Sequence, residues 1–321
     1  MQGYRALAIA TAIATYLLIV VGGVVRVTGS GLGCPDWPTC HGSWLPPLDP
    51  PALIEWSHRL LGGLTSPLIL ATTVGAWLWR RREPRVLVPA TLVPVLLAVQ
   101  IPLGGLVVYL EVLPSAVFVH LTFALLILGL LVWVAVAAGP RPVPAPAATT
   151  AARRLRPLVR AVVVATFGLV LVGGLTRATG AGFACVGFPD CNGQALPFGT
   201  SPLVDLHLTH RLLAYAVAAL VAVAAVQSWR VGHALPTVRW AALGLVLLIG
   251  AQIAIGAFGV SHGLTPLARG LHLAGAAAVW AVAVLLAGLV SRATAAADGA
   301  AQPAAQAPRG EIAHRAPVQG Y

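Results

Sequence analysis

Four histidines, His58, His120, His210 and His272, stand in otherwise apolar stretches, and the second two follow the first two at a constant offset of 152 residues. An imidazole in such surroundings needs a partner, because an unpaired polar group there is expensive. A lone histidine ordinarily finds a backbone carbonyl or a hydroxyl. Four of them, in two pairs at one repeat offset, fit a second chemistry: two imidazoles facing each other as axial ligands of a haem iron. Glu55 adds an asymmetry. It lies three residues before His58 on the same helical face, whereas the matching position of the second half is His207. A carboxylate beside one iron site only is a candidate to accept or relay protons. The simpler reading is an i,i+4 ion pair with Arg59, which stabilises an exposed helix by a few tenths of a kcal/mol.

These residues belong to a unit written twice. Val-Gly-Gly-Val-Val-Arg26 leads through a glycine-rich turn to Cys34 and Cys40. Val-Gly-Gly-Leu-Thr-Arg177 leads likewise to Cys185 and Cys191, at an offset of 151. Gln100 recurs as Gln252. Arg26 and Arg177, at the ends of apolar runs, either pair with haem propionates or act as snorkelling anchors. The two glutamines most simply hydrogen-bond between helices. The Gly29–Gly33 run is excluded as a dinucleotide fingerprint, since it follows an apolar helix rather than a strand. His41 and His262 fall in loops, and His233 and His314 in polar segments, where histidine needs no special role.

The elements that must carry these groups are membrane helices. Hydrophobic residues make up 58% of the chain and charged ones 9%, with mean hydropathy +0.88, which excludes an ordinary soluble domain. Spans of about 20 apolar residues are needed to cross a bilayer. Eight are predicted, near 6–26, 53–79, 86–109, 115–137, 158–177, 203–229, 237–259 and 267–290. The net charge of +11 is not a nucleic-acid footprint. Its arginines gather between spans two and three (Arg80, Arg81, Arg82, Arg85), around the link between four and five (Arg141, Arg153, Arg154, Arg156, Arg160) and after span six (Arg230, Arg239). With Arg5 and Arg292 they fall on one side of an eight-span chain. By the positive-inside rule that side is cytoplasmic and holds both termini.

All four cysteines then lie outside, in an oxidising compartment that favours local disulfides Cys34–Cys40 and Cys185–Cys191. A four-cysteine zinc site is the rival, but zinc ligands usually come two to four residues apart and here five intervene. Four spans per half bring the chain back to its starting side. The halves therefore share one orientation and are related by a pseudo-two-fold axis along the membrane normal. The expected organisation is an all-α membrane protein of two pseudo-symmetric four-helix bundles, 1–138 and 158–292. A Pro/Ala linker over 139–157 joins them, and an Ala/Gln/Pro tail over 293–321 is expected to be disordered.

With these residues together, the sequence resembles the haem A synthase family. The resemblance rests on Gly33-Cys34-Pro35-Asp36-Trp37-Pro38-Thr39-Cys40, on Glu55-Trp56-Ser57-His58-Arg59, and on His120, His210 and His272, and it covers roughly 1–292. It implies conversion of haem O to haem A by oxidation of the C8 methyl to a formyl group, through successive hydroxylations and loss of water. It implies that His58 and His120 hold the substrate haem with Glu55 as the essential carboxylate, and that His210 and His272 hold haem b. It links Cys34 and Cys40 to activity or to haem handover from haem O synthase, and leaves the electron donor unnamed. The second cysteine loop is not present throughout the family. Read without the resemblance, the same residues also admit a di-haem cytochrome carrying electrons from quinol, or a parallel-repeat transporter with a histidine proton relay.

Overall fold

The computed structural model describes residues 2–140, 146–230 and 235–301. Eight α-helices make up the fold among the described residues: α1 (Gln2–Val27), α2 (Pro50–Trp79), α3 (Pro84–Tyr109), α4 (Pro114–Ala137), α5 (Pro146–Ala178), α6 (Pro202–Arg230), α7 (Pro236–Ser261) and α8 (Pro266–Ala301). Each helix after the first begins at a proline. Its fixed φ suits a first turn, and its missing N–H costs nothing where no intrahelical acceptor exists. Asp49 caps α2, its carboxylate accepting from the Ala52 N–H at 3.2 Å. Beyond α1 and α5 the chain turns at Gly29 and Gly180, with φ of 73° and 76°. That left-handed backbone is open to glycine and strained for other residues.

All eight helices are long and apolar enough to cross a membrane, so this is a multi-pass membrane protein. The predicted spans differ from the helices at two places. α5 begins at Pro146 and runs through the second part of the expected 139–157 linker, and α8 continues to Ala301 into the expected 293–321 tail. Both flanks are rich in alanine, the best helix former, and α5 accommodates Pro157. Arg141 and the linker centre 141–145, His233, and the tail over 302–321 with His314 lie outside the described residues.

In the first half α1 packs on α2 and α4, and α3 closes the bundle between them. In the second half α5 packs on α6 and α8, with α7 in the place of α3. The halves meet where α8 lies against α1 and α4. There the Trp280 ring sits 2.8 Å from where a Cβ on Gly129 would be, and its indole N–H donates to the Leu125 carbonyl at 2.8 Å. The tight apolar core occupies the end remote from the cysteine loops: Tyr4, Ala8, Val86 and Val134 in one half, Val159, Val221, Leu245 and Leu286 in the other. Packing is thus concentrated at the arginine-rich end. The cysteine-loop end of each bundle holds the histidines.

Candidate functional site

Each of the four histidines lies with its ring edge against a glycine of the preceding helix. A Cβ on Gly22 of α1 would sit 2.9 Å from Cε1 of His58. The same contact measures 3.3 Å for Gly104 and His120, 2.9 Å for Gly173 and His210, and 3.1 Å for Gly256 and His272. At Gly22 and Gly173 a side chain would force the ring to shift, and at Gly104 and Gly256 it would press closely on it. The Nδ1 atoms of all four are buried and have no hydrogen-bond partner among the described residues. In the second half the His210 and His272 rings come together edge-on, with centroids 6.4 Å apart and planes at 78°. In the first half His58 and His120 line a common cavity of about 600 Å³, and no ring contact joins them among the described residues.

Glu55 also lines this cavity and is 4% exposed. Both its oxygens are engaged. One pairs with Nη2 of Arg59 at 2.6 Å, and the other accepts from the Cys34 N–H at 3.0 Å. Arg59 in turn donates to the carbonyls of Cys34, Asp36 and Thr39 at 2.8, 2.7 and 2.5 Å. The pair therefore fastens the Cys34–Cys40 disulfide loop over the cavity mouth. Inside the loop Asp36 accepts from the Thr39 hydroxyl and from the N–H groups of Gly42 and His41. These bonds, chiefly that of Thr39, hold its pKa at about 2.

The second half repeats the clasp without the carboxylate. Arg211 donates to the carbonyls of Asp190 and Gly187 at 2.8 and 2.9 Å across the Cys185–Cys191 disulfide loop. His207, in the place of Glu55, is buried and holds the Ala181 carbonyl at 2.9 Å through Nδ1. Gln100 approaches Nε2 of His120 at 3.3 Å, while Gln252 donates to the His272 carbonyl at 2.6 Å. Both glutamines thus bridge neighbouring helices. Arg26 of α1 and Arg177 of α5 both line the first-half cavity, and neither has a hydrogen-bond or ion-pair partner among the described residues.

Residues 5–284 match the family described as cytochrome oxidase assembly protein, COX15-CtaA. The chain belongs to this family. It is 31% identical over 291 residues to the heme A synthase of Symbiobacterium thermophilum, covering 88% of this chain and 94% of that protein. It is 30% identical over 261 residues to the heme A synthase of Shouchella clausii, covering 78% and 84% respectively. The cytochrome oxidase assembly match takes in both halves, and so all four histidines.

The structure brings Glu55, His58, His120, Arg26 and Arg177 to one cavity and His210 and His272 to one another. Three features escaped the sequence reading. The glycines beneath the histidines carry a legible signal, since Gly22 recurs as Gly173 at the offset of 151 of the cysteine loops and Gly104 as Gly256 at the histidines' own 152. The roles of Arg59 and Arg211 as loop clasps do not, because their acceptors are backbone carbonyls. Nor did sequence show that Arg269 of α8 joins Arg26 in acting electrostatically on Arg177.

Proposed function

We propose that this protein is a haem A synthase that oxidises the C8 methyl of haem O to a formyl group, providing haem A for haem-copper oxidases. The observation that carries this reading is the inequality of the halves: an edge-on histidine pair in one, and a cavity with a carboxylate one turn from its histidine in the other. The names of the relatives point the same way.

The second half, 158–292, suits a resident haem b. His210 and His272 would hold its iron, since their rings come together. His210 and His272 are at 6.4 Å with unpartnered Nδ1 atoms and glycine-backed rings. Haem b there would supply electron transfer. The first half, 1–138, takes haem O as substrate. His58 and His120 hold its iron, and the cavity walls fix which edge of the porphyrin is presented. Arg26 and Arg177, cationic and otherwise unpartnered, receive the propionates. Two successive hydroxylations of the methyl, each taking one oxygen atom from dioxygen with two electrons from the donor and releasing the other oxygen as water, give a gem-diol that loses water to the formyl group. Glu55, its carboxylate held by Arg59 and the Cys34 N–H, relays protons in these steps.

By the charge pattern both termini are cytoplasmic and the two disulfide loops external. The Cys34–Cys40 loop, over the cavity mouth, is where haem O synthase docks transiently to hand over substrate, and a separate electron donor serves the second half. The test is pigment extraction after co-expression with a haem O synthase. Haem A is the expected product. Haem b alone would instead mean a di-haem cytochrome carrying electrons from quinol.

A further inference from the structure

The halves differ just past the first histidine of each. Four and five residues after His58 come Gly62 and Gly63; at the same places after His210 stand Ala214 and Tyr215. Glycine in a membrane helix ordinarily lets a neighbouring backbone come close. Here nothing lies within 4 Å of a Cβ at either Gly62 or Gly63. Both line the cavity. The missing side chains leave space for a ligand and not for a helix.

Residues that line the cavity and are also exposed mark where it opens. One opening lies at the disulfide loop, at Trp37 and Trp44. The other is on the flank of the bundle, where Leu60 and Gly63 of α2 face outward beside Ile101 of α3, with Leu60 43% and Ile101 45% exposed. Gly63 lies about 20 Å along α2 from Pro50, and Ile101 about 12 Å along α3 from Tyr109. Both depths fall within a bilayer's hydrocarbon layer of about 30 Å. This second opening is apolar and faces lipid. Arg26 and Arg177 come to the same cavity from α1 and α5.

We propose that Gly62, Gly63 and Ile101 form a lipid-facing mouth that takes the long hydrocarbon substituent of the porphyrin substrate, and that Ala214 and Tyr215 deny such a substituent to the second half. The inference rests on the haem O reading and deepens it. Haem O carries a long isoprenoid chain that haem b lacks. With the chain in the lateral mouth and the propionates at the arginines, the porphyrin has one seating, and the edge beside Glu55 is determined.

The experiment uses the full chain in lipid discs with its second half loaded with haem b, and titrates haem O and haem b as probes of the first half. The wild type is expected to bind haem O more tightly by about tenfold or more. Gly63→Tyr installs the second half's residue, and Ile101→Trp narrows the mouth from the other helix. Each is expected to weaken haem O binding by about tenfold while leaving haem b binding within about twofold. The bis-histidine spectrum of the second half reports folding, and if Gly63→Tyr does not fold, Ile101→Trp alone decides. Equal loss of both porphyrins, or of neither, overturns the proposal. So does equal wild-type affinity for the two, which would make the mouth a seat for membrane lipid only. Haem A output is scored separately: selection of haem O without haem A formation keeps the mouth and refutes the proposed activity.

Discussion

The two bundles share their helices, their disulfide loops, their arginine clasps and their glycine-backed histidines, and part company along one face of one helix. Around His58 that face carries Glu55, Gly62, Gly63, Thr65 and Ser66. Around His210 the same positions are His207, Ala214, Tyr215, Val217 and Ala218. The first face is emptier and more polar, and borders a cavity of about 600 Å³; the second brings two imidazoles within 6.4 Å. The duplicated scaffold has kept its glycine-backed histidines and changed what lies beside them. Free volume and one carboxylate are what distinguish the first half from the second.

The sharpest way to break this comparison is at Glu55. Glu55→Ala is expected to stop haem A formation, with a loss of at least about 100-fold, while the second half keeps its bis-histidine spectrum. Glu55→Gln separates chemistry from clasping, since it keeps an acceptor for the Cys34 N–H but no charge. Loss of activity with an intact loop is expected, and undiminished haem A output would remove the carboxylate from the mechanism. Next, His210→Ala or His272→Ala should abolish the bis-histidine absorption of the second half, whereas His58→Ala should leave it. A normal spectrum in either of the first two variants contradicts the assignment.

The arginine clasps give smaller and unequal effects. Arg59→Ala leaves the buried Glu55 carboxylate without its cation and is expected to cost about 3–5 kcal/mol. Arg211→Ala leaves only carbonyls unsatisfied and should cost about 1–3 kcal/mol. Thermal unfolding of the two variants compares them directly; equal losses would mean that Glu55 adds nothing to its clasp. Gly22→Ala and Gly173→Ala each press on a histidine ring at 2.9 Å. Each should cost about 1–3 kcal/mol through overpacking and shift the haem absorption of its own half only.

The smallest effect lies in the first loop. Because the folded-state pKa of Asp36 is lowered from 3.8 to about 2, its contribution is complete above pH 3.8 and is lost as pH falls toward about 2. The second loop has Gly187 at this position. Asp36→Asn should therefore remove an acid-range change in first-loop proteolysis and leave the second loop untouched. Parallel acid profiles for variant and wild type would exclude the role.

Much of this was legible in the chain. The spans show because an apolar run of about 20 residues has few alternatives to a membrane helix. The disulfides show because both cysteines of each pair lie within one short loop. The extents of α5 and α8 were not legible. A hydropathy reading stops at Arg153, Arg154 and Arg156, whereas the backbone of an alanine-rich segment continues to hydrogen-bond past them. Glu55 was legible as an anomaly but not as a clasp, because its second partner is a backbone N–H 21 residues away.

Local order determined the eight helices, their alternating direction, the doubled plan and the placing of His58, His120, His210 and His272 on the even-numbered helices. These follow from periodicity and repeat spacing, which are properties of neighbouring residues. Only the tertiary structure decided that the glycines of odd-numbered helices seat those histidines, that one pair of rings stands 6.4 Å apart while the other lines a cavity, and that α2 and α3 both border this cavity. Distances across a bundle depend on how side chains of different helices fill the space between them, and no single helix carries that information.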